Sequence, residues 1–210
     1  MPLIETQHPN AVFARQLYDG IGNALRSDQM IEIEAGRITH IRPATAQHAR
    51  DRNIRGFDLV APGIIDIQIN GAADTQFNFE PDALALGRIA KGARQGGTAY
   101  IMPTFITAAG QDYQRAISAV QDARMRGVSG ILGVHLEGPF LSHNKPGIHD
   151  SRAIRVLDDA DLNALTSTDA GAVLLTVAPE NLPQGALARL NAAGVRVFAG
   201  HTNATGDQID

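Results

Sequence analysis

From Gly63 onward the chain alternates short apolar runs with amphipathic helical stretches, and no other feature restricts its possible folds as tightly. Such alternation is the pattern of βαβ units feeding a parallel sheet. The pattern predicts strands over Ile64–Asn70, Thr98–Phe105, Gly133–Glu137, Ala172–Ala178 and Val195–Gly200. Between them it predicts helices near Asp82–Gln95, Asp112–Arg126, Asp159–Thr168 and Gln184–Ala192, with Gly96-Gly97, Gly127 and Gly194 as stops.

Before Ala61-Pro62-Gly63 the chain reads differently. Met30–Glu34 and Arg37–Ile41 each alternate apolar and polar residues around Ala35-Gly36, which predicts a tight hairpin. Phe57–Val60 predicts one more strand. A lone hairpin is marginal in water, so these pieces must share a larger sheet. The expected organisation is a β-rich segment over 1–60, followed by an α/β domain over 61–210.

The chemistry collects where the predicted strands end. Asp66, Gln68 and Asn70 alternate with Ile65, Ile67 and Ile69. In a parallel barrel the isoleucines would face helices and the polar residues the barrel mouth. His135 and Glu137 share one strand face, and Glu137 is stopped by Gly138-Pro139. The fifth predicted strand ends in His201. A strand-end glutamate commonly reaches solvent or an arginine, and a strand-end histidine is commonly structural. Here strands one, three and five all carry such groups at the C-terminal edge, where a parallel (β/α) barrel builds its active site. A buried carboxylate is costly unless it is paired or holds a cation. Cysteine is absent, so a metal site must use histidine and carboxylate. One divalent metal ion is therefore expected, Zn2+ first, with Fe2+, Mn2+ and Co2+ also suited to these ligands. The stretch Leu141–Val156 lacks an apolar period and carries His143, Lys145, His149, Arg152 and Arg155. It reads either as a functional loop or as a solvated basic face.

Composition narrows the remaining classes. The net charge of −4 and the absence of a Lys/Arg cluster argue against nucleic acid as the main partner. No apolar run approaches the ~18 residues of a membrane span. The stretch Met1–His8 has neither a basic region nor an apolar one of the kind a secretion leader requires, so a cytoplasmic location is expected.

Four stretches resemble one known family: Ala-Pro-Gly-Ile-Ile-Asp-Ile-Gln-Ile-Asn-Gly (61–71), Gly-Val-His-Leu-Glu-Gly-Pro-Phe-Leu (133–141), Thr-Val-Ala-Pro-Glu (176–180) and Gly-His-Thr-Asn-Ala (200–204). They are similar, in order and spacing from about residue 17 on, to the N-acetylglucosamine-6-phosphate deacetylases of the amidohydrolase superfamily. Most of that superfamily carries His-x-His at the end of the first strand, whereas this family carries Gln-x-Asn, as in Gln68-Ile69-Asn70. The resemblance implies a metal-dependent (β/α) TIM-like barrel with a small β-sandwich, and hydrolysis of the N-acetyl group of N-acetylglucosamine 6-phosphate in amino-sugar catabolism. It implies Glu137 and His201 as metal ligands, His149 as a substrate contact, Gln68 and Asn70 as supporting groups, and a homodimer. In that family a further ligating histidine and a catalytic aspartate follow later, so both are expected beyond Asp210, leaving five of eight strands and an inactive chain here. Two alternatives remain open: the same reaction on the galactosamine epimer or another N-acyl amino sugar, and a non-catalytic chain.

Overall fold

The computed structural model describes residues 10–209. The Met1–His8 stretch and Asp210 lie outside the described residues. The chain divides into two compact units, Met1–Pro62 and Gly63–Asp210.

The first unit holds β1 (Ala11–Leu17), β2 (Arg26–Glu34), β3 (Arg37–Pro43) and β4 (Arg55–Val60), in the sheet order β3-β2-β1-β4. β2 pairs antiparallel with β3 and β1, and β4 runs parallel to β1. Ala35 and Gly36 both have positive φ (48° and 75°), the geometry a two-residue turn needs to match strand twist. Ala14, Leu17 and Ile31 form a small core, with Val12, Ile33, Ile41 and Val60 packed against it.

The second unit runs β5 (Ile64–Ile69), a short hairpin β6 (Gly71–Ala72) and β7 (Thr75–Gln76), then α1 (Ala83–Gln95), β8 (Thr98–Ile106) and α2 (Tyr113–Met125). It continues through β9 (Gly133–Glu137), α3 (Asp159–Thr166), β10 (Ala172–Val177), α4 (Ala186–Ala192), β11 (Arg196–Ala199) and α5 (Gly206–Ile209). The sheet order is β11-β10-β9-β8-β5, and every neighbouring pair is parallel. Each strand lies beside its predecessor, as in a barrel wall; a doubly wound sheet would reverse direction part-way.

One face of this sheet is covered by helices. Val134, Leu136, Val173 and Leu175 pack with Leu86, Ile89, Ile117, Val120, Leu162 and Leu190 in one buried core. Helix starts are capped by side chains: Asp82 accepts from the Ala85 N–H at 2.8 Å, and Asp158 and Asp161 form a reciprocal capping box. Leu136 is fully buried, so its truncation to alanine would cost about 2–5 kcal/mol. Among the described residues no helix is long and apolar enough to cross a membrane.

The expected alternation along the first barrel strand fails. The pairing of β5 with β8 shifts register between Ile64 and Ile65 and again between Asp66 and Ile69. Ile69 packs against the helix-side core, but Ile65 and Ile67 are half-exposed. Ile67 instead lines an apolar hollow with Met102, Leu132, Leu174 and Phe198. An extra residue in a strand flips the faces beyond it, which composition alone does not reveal.

Candidate metal centre

Glu137 closes β9, the middle strand, and is flanked on that strand by Val134 and Leu136 pointing into the helix-side core. On its own face lies His135, 2% exposed and held across three strands. The Thr104 hydroxyl donates to the Met102 carbonyl (3.3 Å) and so accepts from His135 Nδ1 (3.1 Å), while the Thr176 hydroxyl donates to Nε2 (2.8 Å). Burial pushes the His135 pKa down, against the pull of Glu137, so the ring stays neutral and serves as a strut.

After Glu137 the chain turns at Gly138, whose φ is +88°. A Cβ there would stand 2.1 Å from Thr107 Oγ1, so only glycine lets the turn pass under that hydroxyl. The loop that follows then folds back over the strand ends. Ser142 N–H donates to the His201 carbonyl (2.9 Å), and the turns Ser142–Lys145 and Pro146–His149 are each closed by a backbone bond of 3.0 Å. Gly147, at φ +56°, would put a Cβ 3.1 Å from the His201 ring, so its lack of a side chain lets loop and ring meet.

The result is a convergence of three ligand atoms. Glu137, His149 and His201 each offer one, and all lie within 4.8 Å of one another. His149 is buried, with its ring centroid 4.5 Å from that of His201. Hydrogen bonding fixes what each ring presents. The Lys145 carbonyl, 3.0 Å from His201 Nδ1, can only accept, so Nδ1 carries a proton, and the neutral ring then presents a lone pair at Nε2. The Thr107 hydroxyl donates to the Glu137 carbonyl (3.3 Å), so it accepts from His149 Nδ1 (2.9 Å), and His149 Nε2 is left as a lone pair too. Burial lowers the His149 pKa, with the nearby His201 acting in the same sense and Glu137 opposing, which keeps that ring neutral.

With the ring neutral, His201 Nε2 faces Glu137 Oε1 at 3.2 Å as one acceptor against another. Such a contact needs a proton or a cation between them. Two ligands at ~2.0–2.1 Å on a tetrahedral ion stand roughly 3.3 Å apart, close to the observed spacing. The remaining carboxylate oxygen, Oε2, accepts from Gln68 Nε2 at 3.2 Å. Donor chemistry and spacing both fit a divalent ion, and each histidine has the carbonyl or hydroxyl partner that orients a metal ligand.

Of the residues singled out from sequence, Glu137, His201, His149 and Gln68 come together. Asn70, close to Gln68 in sequence, lines a depression with Gly71, Asp74, Gln76, Phe79 and Glu80. The two arginines of the loop stand apart from the centre. Arg152 pairs with Asp150 on the surface. Arg155 is bound to Asp161 through both nitrogens and stacks on Phe140 at 5.1 Å, so it anchors the loop. Thr107 was not foreseen, although its signal was available: a hydroxyl directly following the apolar strand β8, at the same rim as Glu137.

No family model matches the chain. Among curated proteins it is 37% identical over 151 residues to the N-acetylgalactosamine-6-phosphate deacetylase of Shewanella sp. (strain ANA-3), covering 72% of this chain and 38% of that one. It is 32% identical over 160 residues to the N-acetylglucosamine-6-phosphate deacetylase of Danio rerio, covering 72% and 39%. The chain belongs to the N-acetylglucosamine-6-phosphate deacetylase family. Its fold is accordingly part of the amidohydrolase (β/α) barrel, as the five-stranded parallel sheet already indicated. A solved structure of the family's enzyme from Mycobacterium smegmatis, a variant in complex with N-acetyl-D-glucosamine-6-phosphate, superposes with a TM-score of 0.76 at 26% identity, covering 94% of this chain and 51% of that one. The chain spans about two fifths of the length of the curated deacetylases it matches.

Proposed function

We propose that the protein carrying this chain hydrolyses the acetamido group of an N-acetylated amino-sugar 6-phosphate, N-acetylglucosamine 6-phosphate first, releasing acetate and the free amine. The observation that carries this reading is the contact of His201 Nε2 with Glu137 Oε1 across 3.2 Å, with His201 Nδ1 already committed to the Lys145 carbonyl. Glu137 and His201 would hold a divalent ion there, Zn2+ in our assignment, and His149 presents a third lone pair to the same spot.

A divalent ion so held supplies polarisation of an amide carbonyl and acidification of a water molecule. The chain's own groups do the rest of what is visible. Gln68 fixes the rotation of the Glu137 carboxylate through Oε2, Lys145 fixes the His201 tautomer, and Thr107 fixes that of His149. His149, neutral and buried, contacts the substrate from the loop side. Asn70 is assigned a supporting role at the outer rim.

The matching relatives act on phosphorylated N-acetylhexosamines by name, and this supports the substrate class. The galactosamine epimer is the second reading, favoured by the Shewanella relative. We further assign the protein to the cytoplasm and to a homodimer, with residues 1–60 contributing to a small β-sandwich. The experiment is acetate release from N-acetylglucosamine 6-phosphate and from its galacto epimer, before and after chelation. Activity lost on chelation and restored by Zn2+ or Co2+ supports the reading. No acetate from either sugar, or activity indifferent to chelation, would sink it.

A further inference from the structure

Glu180 lies in a short turn (Pro179–Asn181) directly after β10, outside the group of candidate ligands. Each of its carboxylate oxygens nonetheless has a partner across the chain. One oxygen accepts from the Thr202 hydroxyl at 2.5 Å, and the other from the Asn203 N–H at 2.8 Å. Thr202 and Asn203 are the two residues that follow His201.

That placement matters because of how His201 is held. Among the described residues β11 pairs with β10 alone, and the turn beyond it is tied back to that neighbour. Gly200 N–H donates to the Val177 carbonyl (2.9 Å), and His201 then enters the left-handed region at φ 50°. This is uncommon for a residue with a side chain and needs outside support to persist. Its own carbonyl accepts from Ser142 N–H. On the C-terminal side the support comes from Glu180, which takes the next two donors at once. Thr202 completes the turn by accepting from the Ala204 N–H at 2.8 Å. Burial works to raise the Glu180 pKa, but the Thr202 and Asn203 donors outweigh it, so the group is anionic at neutral pH.

We propose that Glu180 is a positioning residue for the cation centre: by clamping the Thr202-Asn203 turn it holds His201 in the left-handed conformation that brings Nε2 to Glu137. It acts through His201: each of its oxygens takes a donor of the chain, and it is not in the group Glu137, His149 and His201 whose ligand atoms converge. This rests on the metal reading above and assigns a role to the Thr-Val-Ala-Pro-Glu stretch that the centre itself leaves unused.

The test is affinity for Co2+ and Zn2+, measured by competition with a chelating dye on the protein that carries this chain, together with the visible absorption spectrum of the Co2+ form. Glu180→Ala should lower affinity by about 10–100-fold, the usual cost of removing a partner that orients a ligand. It should also shift the Co2+ bands, because the His201 ring is freed. Glu180→Gln keeps an acceptor for the Asn203 N–H and can donate to Thr202, so it should stay within about threefold of the unaltered chain. Thr202→Val removes one of the two anchors, and should weaken binding several-fold even if Glu180→Ala fails to fold. Unchanged affinity and spectrum in Glu180→Ala or Thr202→Val would overturn the proposal while leaving the metal reading intact. A loss in Glu180→Gln as deep as in Glu137→Gln would overturn it in another way, making Glu180 a ligand. If the unaltered protein that carries this chain binds neither ion, the metal reading falls and takes this proposal with it.

Discussion

Two polar clusters of the second unit, each built around a carboxylate, differ in one respect. Around Asp161 every acceptor position is met. One oxygen takes the Tyr113 hydroxyl (2.8 Å) and an Arg155 nitrogen (2.7 Å), and the other takes the Asp158 N–H (3.0 Å) and the second Arg155 nitrogen. Around Glu137 one oxygen has a donor in Gln68, but the other faces His201 Nε2, which in the neutral ring is a lone pair. A saturated cluster is finished when the chain folds. A cluster of facing acceptors is finished only by something the chain does not itself supply, which is what distinguishes an anchor from a site.

The widest break in this comparison should come from exchanging the carboxylates for amides. Glu137→Gln removes a ligand charge, so metal affinity should fall by more than the ~10–100-fold that outer partners cost. The metal-free protein should gain, because the new amide can donate to His201 Nε2 and make a hydrogen bond worth about 1 kcal/mol. Metal content by emission spectroscopy and melting in chelator would show both. A metal-free protein destabilised by Glu137→Gln would mean that His201 is protonated at rest.

Asp161→Asn should do the reverse. The Asp161 side chain is fully buried and its partner Arg155 largely so, and breaking such a pair costs about 3–5 kcal/mol. The lower end of that range is expected, because Arg155 keeps the Gly110 and Val156 carbonyls. Acid unfolding sharpens the point. Burial works to raise the Asp161 pKa, but Arg155, the Asp158 N–H and Tyr113 outweigh it, so in the folded state it lies below the ordinary carboxylate range. A depressed folded pKa gives stability that is fully present above the unfolded value of about 3.9 and lost as pH falls through the folded one. Denaturation curves below that pH should therefore flatten in Asp161→Asn; an unchanged acid slope would refute the assignment.

His149→Ala should have an intermediate effect. The ring sits at the cation cluster, 4.5 Å from His201, so the expected loss is in substrate binding at the acetamido end. KM should then rise alike for phosphorylated and unphosphorylated N-acetylglucosamine. A loss confined to the phosphorylated sugar would move His149 to the phosphate end.

The contrast also explains what could be read from residues alone. The strand–helix alternation was legible because the helix-side core needs Val134, Leu136, Val173 and Leu175 at a strand period. Glu137 and His201 were legible because both end strands at one rim. The place of His149 was not, since a loop without apolar period is shaped by backbone bonds such as Ser142 to His201, which no side-chain pattern encodes. Arg155 could not be assigned for a related reason: its partner Asp161 lies six residues on, inside a helix that reads as an ordinary capped start. The faces of β5 misled because a register shift is a property of the pair of strands.

The smallest effect is expected at Thr107, which belongs to the open cluster but meets its own bonds. Its hydroxyl receives the His149 Nδ1 proton and donates to the Glu137 carbonyl, so it ties the loop histidine to the strand that carries the carboxylate. Thr107→Val keeps the shape beneath Gly138 and deletes only the hydroxyl. Two buried partners then lose one hydrogen bond each, a cost of about 1 kcal/mol apiece. The consequence peculiar to this site is the tautomer. Without an acceptor at Nδ1 the proton is free to move to Nε2, and there it would bridge His149 to a neighbouring acceptor and oppose cation binding. Metal affinity should fall by a few-fold, less than in Glu180→Ala, and nitrogen chemical shifts of the His149 ring should report the change of tautomer. An unaltered tautomer in Thr107→Val would show that the ring is oriented by the cluster itself, and that the two clusters differ less than their hydrogen bonds suggest.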